Sequence, residues 1–305
     1  MKETSRVQPG AEVADPGPPV GRPAALRGRL FVYLSHVLPH HALSRLTLAA
    51  TRVRTPWFKN LLTRSFLVLF KLDMSEALES DPYRYATFNE LFTRALRPGV
   101  RPIAAAPQLI ASPVDGTVSE CGEIDDDRIL QAKGHTYTLT DLLAQQAWAA
   151  RFAGGAFATL YLAPHDYHRI HMPLDGRLLE TVYVPGRLFS VNALSVRVVP
   201  RLFARNERVL TLFESAYGAF ALVLVGALNV GSISTVWQGV ITPAARRQIT
   251  RFPSPDLELR KGEEMGRFNM GSTVILLFEA QHAHWLEGLR AGARIRLGQS
   301  IGSLA

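Results

Sequence analysis

The residues best suited to chemistry crowd into one short stretch. Residues 161–176, YLAPHDYHRIHMPLDG, place His165, His168 and His171 at intervals of three, with Asp166 and Arg169 between them. Imidazoles at that spacing can serve as metal ligands or as acid–base groups. A zinc site would call for a carboxylate or cysteine at matching spacing, and Cys121 is the only thiol in the chain, so no metal is assigned. Two other segments carry groups that a histidine could act with. Ser112-Pro113-Val114-Asp115-Gly116 holds a carboxylate at a tight turn, although Asp-Gly is also an ordinary hairpin signal. Gly271-Ser272-Thr273 sets a hydroxyl behind a glycine whose backbone freedom lets its carbonyl turn toward that hydroxyl. Gly-Ser recurs at Gly231-Ser232 and Gly302-Ser303, so the dipeptide alone means little. An Asp, a His and a Ser from separate segments can form a relay in which the carboxylate orients the base and the base activates a weak hydroxyl. Sequence spacing alone does not bring them together.

The elements that would have to do so are of two kinds. From Leu109 onward, short apolar runs alternate with turn signals: Thr117 to Ile124, Ala156–Leu162, Leu178–Val184, Val209–Phe213, Phe220–Val225, Ser232–Trp237 and Val274 to Phe278. One helix, Leu139 to Phe152, interrupts them. Before this region, apolar residues recur at helical spacing in three stretches: Leu26 to Leu38, one after Pro39, and one after Pro56 that carries Trp57, Phe58 and Phe66. Tyr83 to Leu96 reads as a further helix, with Thr87 as its cap and Glu90 three residues on. The fold class is α+β: N-terminal amphipathic helices followed by a mainly antiparallel β catalytic domain. Residues 1–25, rich in proline and glycine, read as a disordered tail, 26–100 as a helical membrane-associating region, and 101–305 as the catalytic domain.

Charge narrows the partners. The net charge is +8 and no Asp or Glu lies between Asp15 and Asp73, where basic side chains alternate with large aliphatic and aromatic ones. That pattern suits the surface of an anionic bilayer and argues against nucleic acid, since the apolar stripes would need covering. No apolar run reaches the ~18 residues of a membrane-spanning helix. A lone cysteine excludes an internal disulfide.

Several longer segments add a resemblance. FNELFTRALRPGVRPI (88–103), SPVDG (112–116), ILQAKGH (129–135), DYHRIHMPLDG (166–176), YVPGRLFSVN (183–192), LFARNERV (202–209), GALNVGSI (226–233) and KGEEMGRFNMGST (261–273) resemble, in order and spacing, the bacterial phosphatidylserine decarboxylase family. The resemblance implies a self-processing enzyme that turns phosphatidylserine into phosphatidylethanolamine and carbon dioxide. Asp115, His171 and Ser272 would be the relay for autocleavage between Gly271 and Ser272, giving a β chain of residues 1–271 and an α chain of residues 272–305. Ser272 would become a covalent pyruvoyl group, the cofactor, which forms a Schiff base with the substrate amine. His168 would be the proton donor and substrate contact; the resemblance assigns His165 no role, and it is read as structural. The resemblance also implies peripheral attachment to the cytoplasmic face of the inner membrane and a homo-oligomer of αβ units. The family signature has leucine before Gly-Ser-Thr; Met270, of similar volume, stands there and should permit processing.

Two other classes use the same residues. A serine hydrolase could employ Asp115, His171 and Ser272, although no Gly-x-Ser-x-Gly elbow surrounds Ser272. A non-enzymatic protein that binds anionic membranes would need only the basic helices.

Overall fold

Val274 to Phe278 is apolar without interruption because its strand is covered on both faces. A computed structural model describes residues 40–132, 134–227, 232–242, 248–270 and 273–305. In it Thr273–Phe278 lies at the middle of a nine-stranded sheet, antiparallel to Ala156–Tyr161 on one side and Gly218–Val225 on the other. Alternation sends Ile275 and Leu277 into one core, with Val223, Phe157 and Leu210, and Val274, Leu276 and Phe278 into a second, with Phe220, Leu222 and Leu224. Each such buried side chain stabilises the fold by about 1.5–3 kcal/mol, so the strand that begins at Thr273 is a fixed anchor for the residues before it.

The sheet continues outward through Arg208–Ser215 and Gly176–Val184 to Thr250–Phe252, and on the other side through Gly116–Glu123 to Arg294–Ile295. A second, four-stranded sheet holds Gly239–Val240, Ile233–Thr235, Glu264–Phe268 and Arg169–His171 in that order. All these pairings are antiparallel, as the alternating runs predict. The architecture is α+β, with helices gathered before a mainly antiparallel body.

Three helices precede the sheets among the described residues: α1 (His40–Thr51), α2 (Pro56–Phe70) and α3 (Phe88–Phe92). The tail 1–25 and the stretch Leu26 to Leu38 lie outside the described residues. The helix expected over Tyr83 to Leu96 is shortened to α3 at its centre. Its cap is the expected one: Thr87 Oγ1 accepts the Glu90 amide at 3.1 Å, and Glu90 Oε2 accepts the Ala86 amide at 3.1 Å. The first turn is missing because the buried Lys59 ammonium donates to the carbonyls of Tyr83 and Tyr85, which a helix would need for itself. The helix expected over Leu139 to Phe152 is two, Leu139–Leu143 and Gln146–Phe152, parted where Ala144 turns left-handed at φ 52°.

α2 is oriented in a way that its sequence does not announce. Phe66, which the reading of this stretch as membrane-associating would turn outward with Trp57 and Phe58, is 7% exposed and packs edge-on against Phe88 and Phe92 of α3, their ring centroids 5.2 and 5.8 Å away. The inward face also takes Lys59 and Thr63. Outward stand Trp57, Leu61, Val68 and Leu69, between 55% and 74% exposed, together with Arg64. No helix among the described residues is long and apolar enough to cross a membrane.

Candidate active site

Two sheets meet at the segment between Met270 and Thr273. The four-stranded sheet delivers Phe268, Asn269 and Met270; the central sheet begins at Thr273. Gly271 and Ser272 lie outside the described residues. Asn269 fixes the incoming end: its amide donates to the Ser232 carbonyl at 2.8 Å, and its side chain reaches Ser232 Oγ at 3.1 Å and Asn89 of α3 at 3.1 Å. Met270 has φ 145°, an uncommon backbone angle for a residue with a side chain, and packs against the phenylalanine cluster of α2 and α3.

His168 sits against the strand that leads to Met270, its carbonyl accepting the Phe268 amide at 3.0 Å. The ring is 0% exposed and lies 4.1 Å, centroid to centroid, from Phe92. Its Nδ1 is 2.8 Å from the Asp166 carbonyl, so Nδ1 carries the hydrogen. Nε2 then bears a lone pair, buried and without a partner. Burial pushes the imidazole down to about 3, with the Arg94 cation adding to the effect, so the ring is neutral near pH 7. Thr273 Oγ1 is also buried and without a partner, as are Asn89 Oδ1 and the Nε and Nη1 of Arg94.

His171, at the end of Arg169–His171, donates from Nδ1 to the Gly262 carbonyl at 2.8 Å, and Tyr167 Oη donates to its Nε2 at 3.1 Å. Gly262 can present that carbonyl because it turns left-handed at φ 84°, in space where a Cβ would come within 2.8 Å of Ile103. Burial lowers the His171 pKa; the Gly262 carbonyl, Glu264 and Asp115 oppose it. Tyr167 is pushed up to about 12 by burial and stays a hydroxyl donor.

The Asp115 carboxylate is occupied elsewhere. Arg101 grips both oxygens, Nε to Oδ1 at 2.9 Å and Nη2 to Oδ2 at 2.6 Å, and the Leu297 amide donates to Oδ1 at 2.7 Å. Asp115 therefore acts on His171 through space, while Gly262 orients the ring. His165 lies apart: its side chain is half exposed and its contribution is a carbonyl that accepts Arg94 Nη2 at 3.1 Å. Among the described residues no cluster of His, Cys, Asp or Glu could hold a metal.

Arg101, Tyr167, Gly262 and Arg94 were given no part by residue-type reasoning. Each stands inside or beside a motif quoted above, which was the available signal. Two clefts flank the site. One, of about 480 Å³, is polar and lined by Lys71, Arg94, Arg101, Asp115, Tyr167 and Arg294 among others. The other, of about 460 Å³, is an apolar groove between α1 and α2, lined by Leu46, Ala50, Leu62, Phe66 and Leu69 and ending on Met270.

A family model described as phosphatidylserine decarboxylase matches residues 88–303, and a second, described as PSD, matches residues 30–71. Among similar proteins, one from Alkalilimnicola ehrlichii is 52% identical over 283 residues, covering 92% of this chain and 97% of its own. One from Azotobacter vinelandii is 50% identical, covering 91% and 99% respectively. One from Pseudomonas putida is 49% identical, covering 92% and 99%. All three bear the name phosphatidylserine decarboxylase proenzyme. The matched span runs from α3 through both histidines to the strand after Ser272, and on that ground the chain belongs to the phosphatidylserine decarboxylase family.

Proposed function

We propose that the chain decarboxylates phosphatidylserine to phosphatidylethanolamine with a pyruvoyl group made from its own Ser272. The observation that carries this is the buried, neutral imidazole of His168, its Nε2 unpartnered and its backbone bonded to Phe268 on the strand that leads to Met270, with the partly buried His171, its pKa also lowered, on the neighbouring strand. In cleavage, His171 keeps its Nδ1 hydrogen on the Gly262 carbonyl, which leaves Nε2 as the base. Tyr167 gives up that nitrogen to the Ser272 hydroxyl, and Asp115 stabilises the imidazolium that forms. The Ser272 oxygen attacks the Gly271 carbonyl and the amide bond becomes an ester. Elimination frees residues 1–271 as the β chain with a Gly271 carboxylate, and the dehydroalanine left at residue 272 takes up water and releases ammonia to become the pyruvoyl N-terminus of residues 272–305.

That group supplies the electron sink for loss of carbon dioxide. The unpartnered Nε2 of His168 and Oγ1 of Thr273 suit its presence there. His168 can take a proton on Nε2 and return it to the substrate α carbon once carbon dioxide has left. The apolar groove between α1 and α2 gives a lipid chain a path that ends at Met270. Residues 26–100 form the membrane-associating part and 101–305 the catalytic part. Attachment is peripheral, on the cytoplasmic face of the inner membrane, and the αβ units assemble as a homo-oligomer.

Denaturing intact-mass measurement of freshly made protein tests the reading. Two chains are expected, the smaller spanning 272–305 with a pyruvoyl N-terminus. A serine hydrolase or a simple membrane binder would remain one chain, and one uncleaved chain in active protein would refute the mechanism.

A further inference from the structure

The polar cleft beside Asp115 contains a cation that its surroundings do not neutralise. Arg101 is paired with Asp115 and Glu76, Arg294 with Asp166, and Arg296 with Glu76. Among the described residues, the cleft cations left without a carboxylate partner are Lys71 and Arg94. Lys71 is exposed, at the end of α2 next to the outward Val68 and Leu69. Arg94 is deep: 5% exposed, with Nη2 on the His165 carbonyl and with Nε and Nη1 both lacking any partner.

A guanidinium cannot shed its charge, so its burial without an acceptor is costly unless a ligand supplies one. Asp73, Asp115, Asp166, Tyr85 and Tyr167 face Arg94 from a distance and none bonds to it. Its charge reaches His168, which it helps to keep neutral.

We propose that Arg94 binds the phosphodiester of the lipid headgroup, with Lys71 drawing the anion in from the membrane side. This rests on the function proposed above and names how the same site holds its substrate. Phosphatidylserine offers two anions, and the chemistry favours one of them. An arginine paired with the carboxylate would stabilise the ground state and lose its partner as carbon dioxide departs, which raises the barrier. The phosphodiester keeps its charge from substrate to product, so binding it fixes the headgroup without opposing the reaction. A cation already buried beside His168 sets the phosphate on one side of the histidine that handles the proton, and Lys71, on the side of the exposed α2 face, fits a substrate whose chains remain in the bilayer.

The test uses the processed, two-chain enzyme and a short-chain, soluble phosphatidylserine. Arg94→Gln should still cleave but show KM raised by about 10- to 100-fold, the range expected for a lost charged hydrogen bond, with kcat little changed. Arg94→Lys should recover part of that loss. A second measurement needs no variant: glycerophosphoethanolamine should compete with substrate on the wild-type enzyme, and ethanolamine, which lacks the phosphate, should compete at least about tenfold more weakly. Normal cleavage of Arg94→Gln with unchanged KM would overturn the assignment. So would equal competition by ethanolamine, whether or not Arg94→Gln folds. Inorganic phosphate competing as well as glycerophosphoethanolamine would mean a free-phosphate site and would overturn the lipid assignment. Failure of the wild-type chain to cleave would instead refute the underlying function, so the two failures are distinguishable.

Discussion

His171 is oriented by Gly262, whose backbone carbonyl receives the ring Nδ1 hydrogen at 2.8 Å. In a relay the third member orients the base and stabilises its cation. In the proposed relay those duties would be divided: the Gly262 carbonyl orients the ring, and Asp115, held by Arg101, would contribute charge from further off. The division has consequences for mutation. Asp115→Asn should retain the His171 tautomer, because Gly262 still holds it, yet slow cleavage by removing the charge. Gly262→Ala should also slow cleavage, since a Cβ at φ 84° is strained and would strike Ile103. Time-resolved intact mass of both variants checks this. Cleavage of Asp115→Asn at the wild-type rate would confine Asp115 to a structural role.

The Asp115–Arg101 pair is itself buried, each side chain about one-tenth exposed or less. Removing one partner of such a pair leaves a buried charge and typically costs about 3–5 kcal/mol. Arg101 keeps Glu76 as a second partner, which reduces the penalty for losing Asp115. Arg101→Met should therefore destabilise more than Asp115→Asn, because it leaves the buried Asp115 without its cation partner and Glu76 with only Arg296. Urea unfolding of the two variants gives the order, and the reverse order would mean that Glu76 does not share Arg101 in solution.

His168 ties acid stability to the site. An imidazole buried as the neutral form, its pKa at about 3 against about 6.5 unfolded, resists protonation only while the chain is folded. Its contribution to stability is complete above the unfolded value and is lost as pH falls from about 6.5 toward 3, at roughly 1.4 kcal/mol per pH unit. The buried Glu207 carboxyl, raised to about 7, works in the opposite sense over part of that range, so the difference between two proteins is the clean measure. His168→Asn can keep a donor on the Asp166 carbonyl. It should unfold with a shallower pH dependence than the wild-type, by about one proton, cleave into two chains, and lose most decarboxylation. Equal slopes would mean that His168 is not buried neutral.

Much of this was legible from the sequence, and the parts that were not have physical causes. Strands such as Val209–Phe213 and Phe220–Val225 declare themselves because both faces are buried and every position must be apolar. His171 and Asp115 were visible by residue type, but the orienting partner was not, since a backbone carbonyl carries no residue signature. The first turn of the helix expected from Tyr83 was lost to a lysine 24 residues earlier, which local periodicity cannot report. The facing of α2 was hidden because its apolar residues run nearly all the way round. Lys59, which reads as one more surface cation, is the residue that turns inward.

That facing sets the last prediction. Trp57, Leu61 and Val68 recur at helical spacing on the outward side of α2, with Leu46 of α1 also exposed. Arg52, Arg54, Arg64 and Lys71 are exposed on the same helices or just beyond their ends. Each cation near an anionic surface contributes about 1 kcal/mol, and salt screens that part. Buried aliphatic and aromatic side chains add a part that salt does not touch. Replacing Trp57, Leu61 and Val68 with serine should release the protein from anionic vesicles while leaving cleavage at Ser272 intact. Phe66→Ser should behave differently. It empties the space against Phe88 and Phe92, at a cost of about 3–5 kcal/mol, and loosens the packing around Met270, so it should destabilise the protein and slow cleavage. For the wild-type, raising salt should weaken vesicle binding in part and leave a residue that only the outward triple substitution removes. Co-sedimentation with anionic vesicles, run beside intact mass, separates these outcomes. Unchanged binding by the triple variant would mean that another part of the protein holds the membrane.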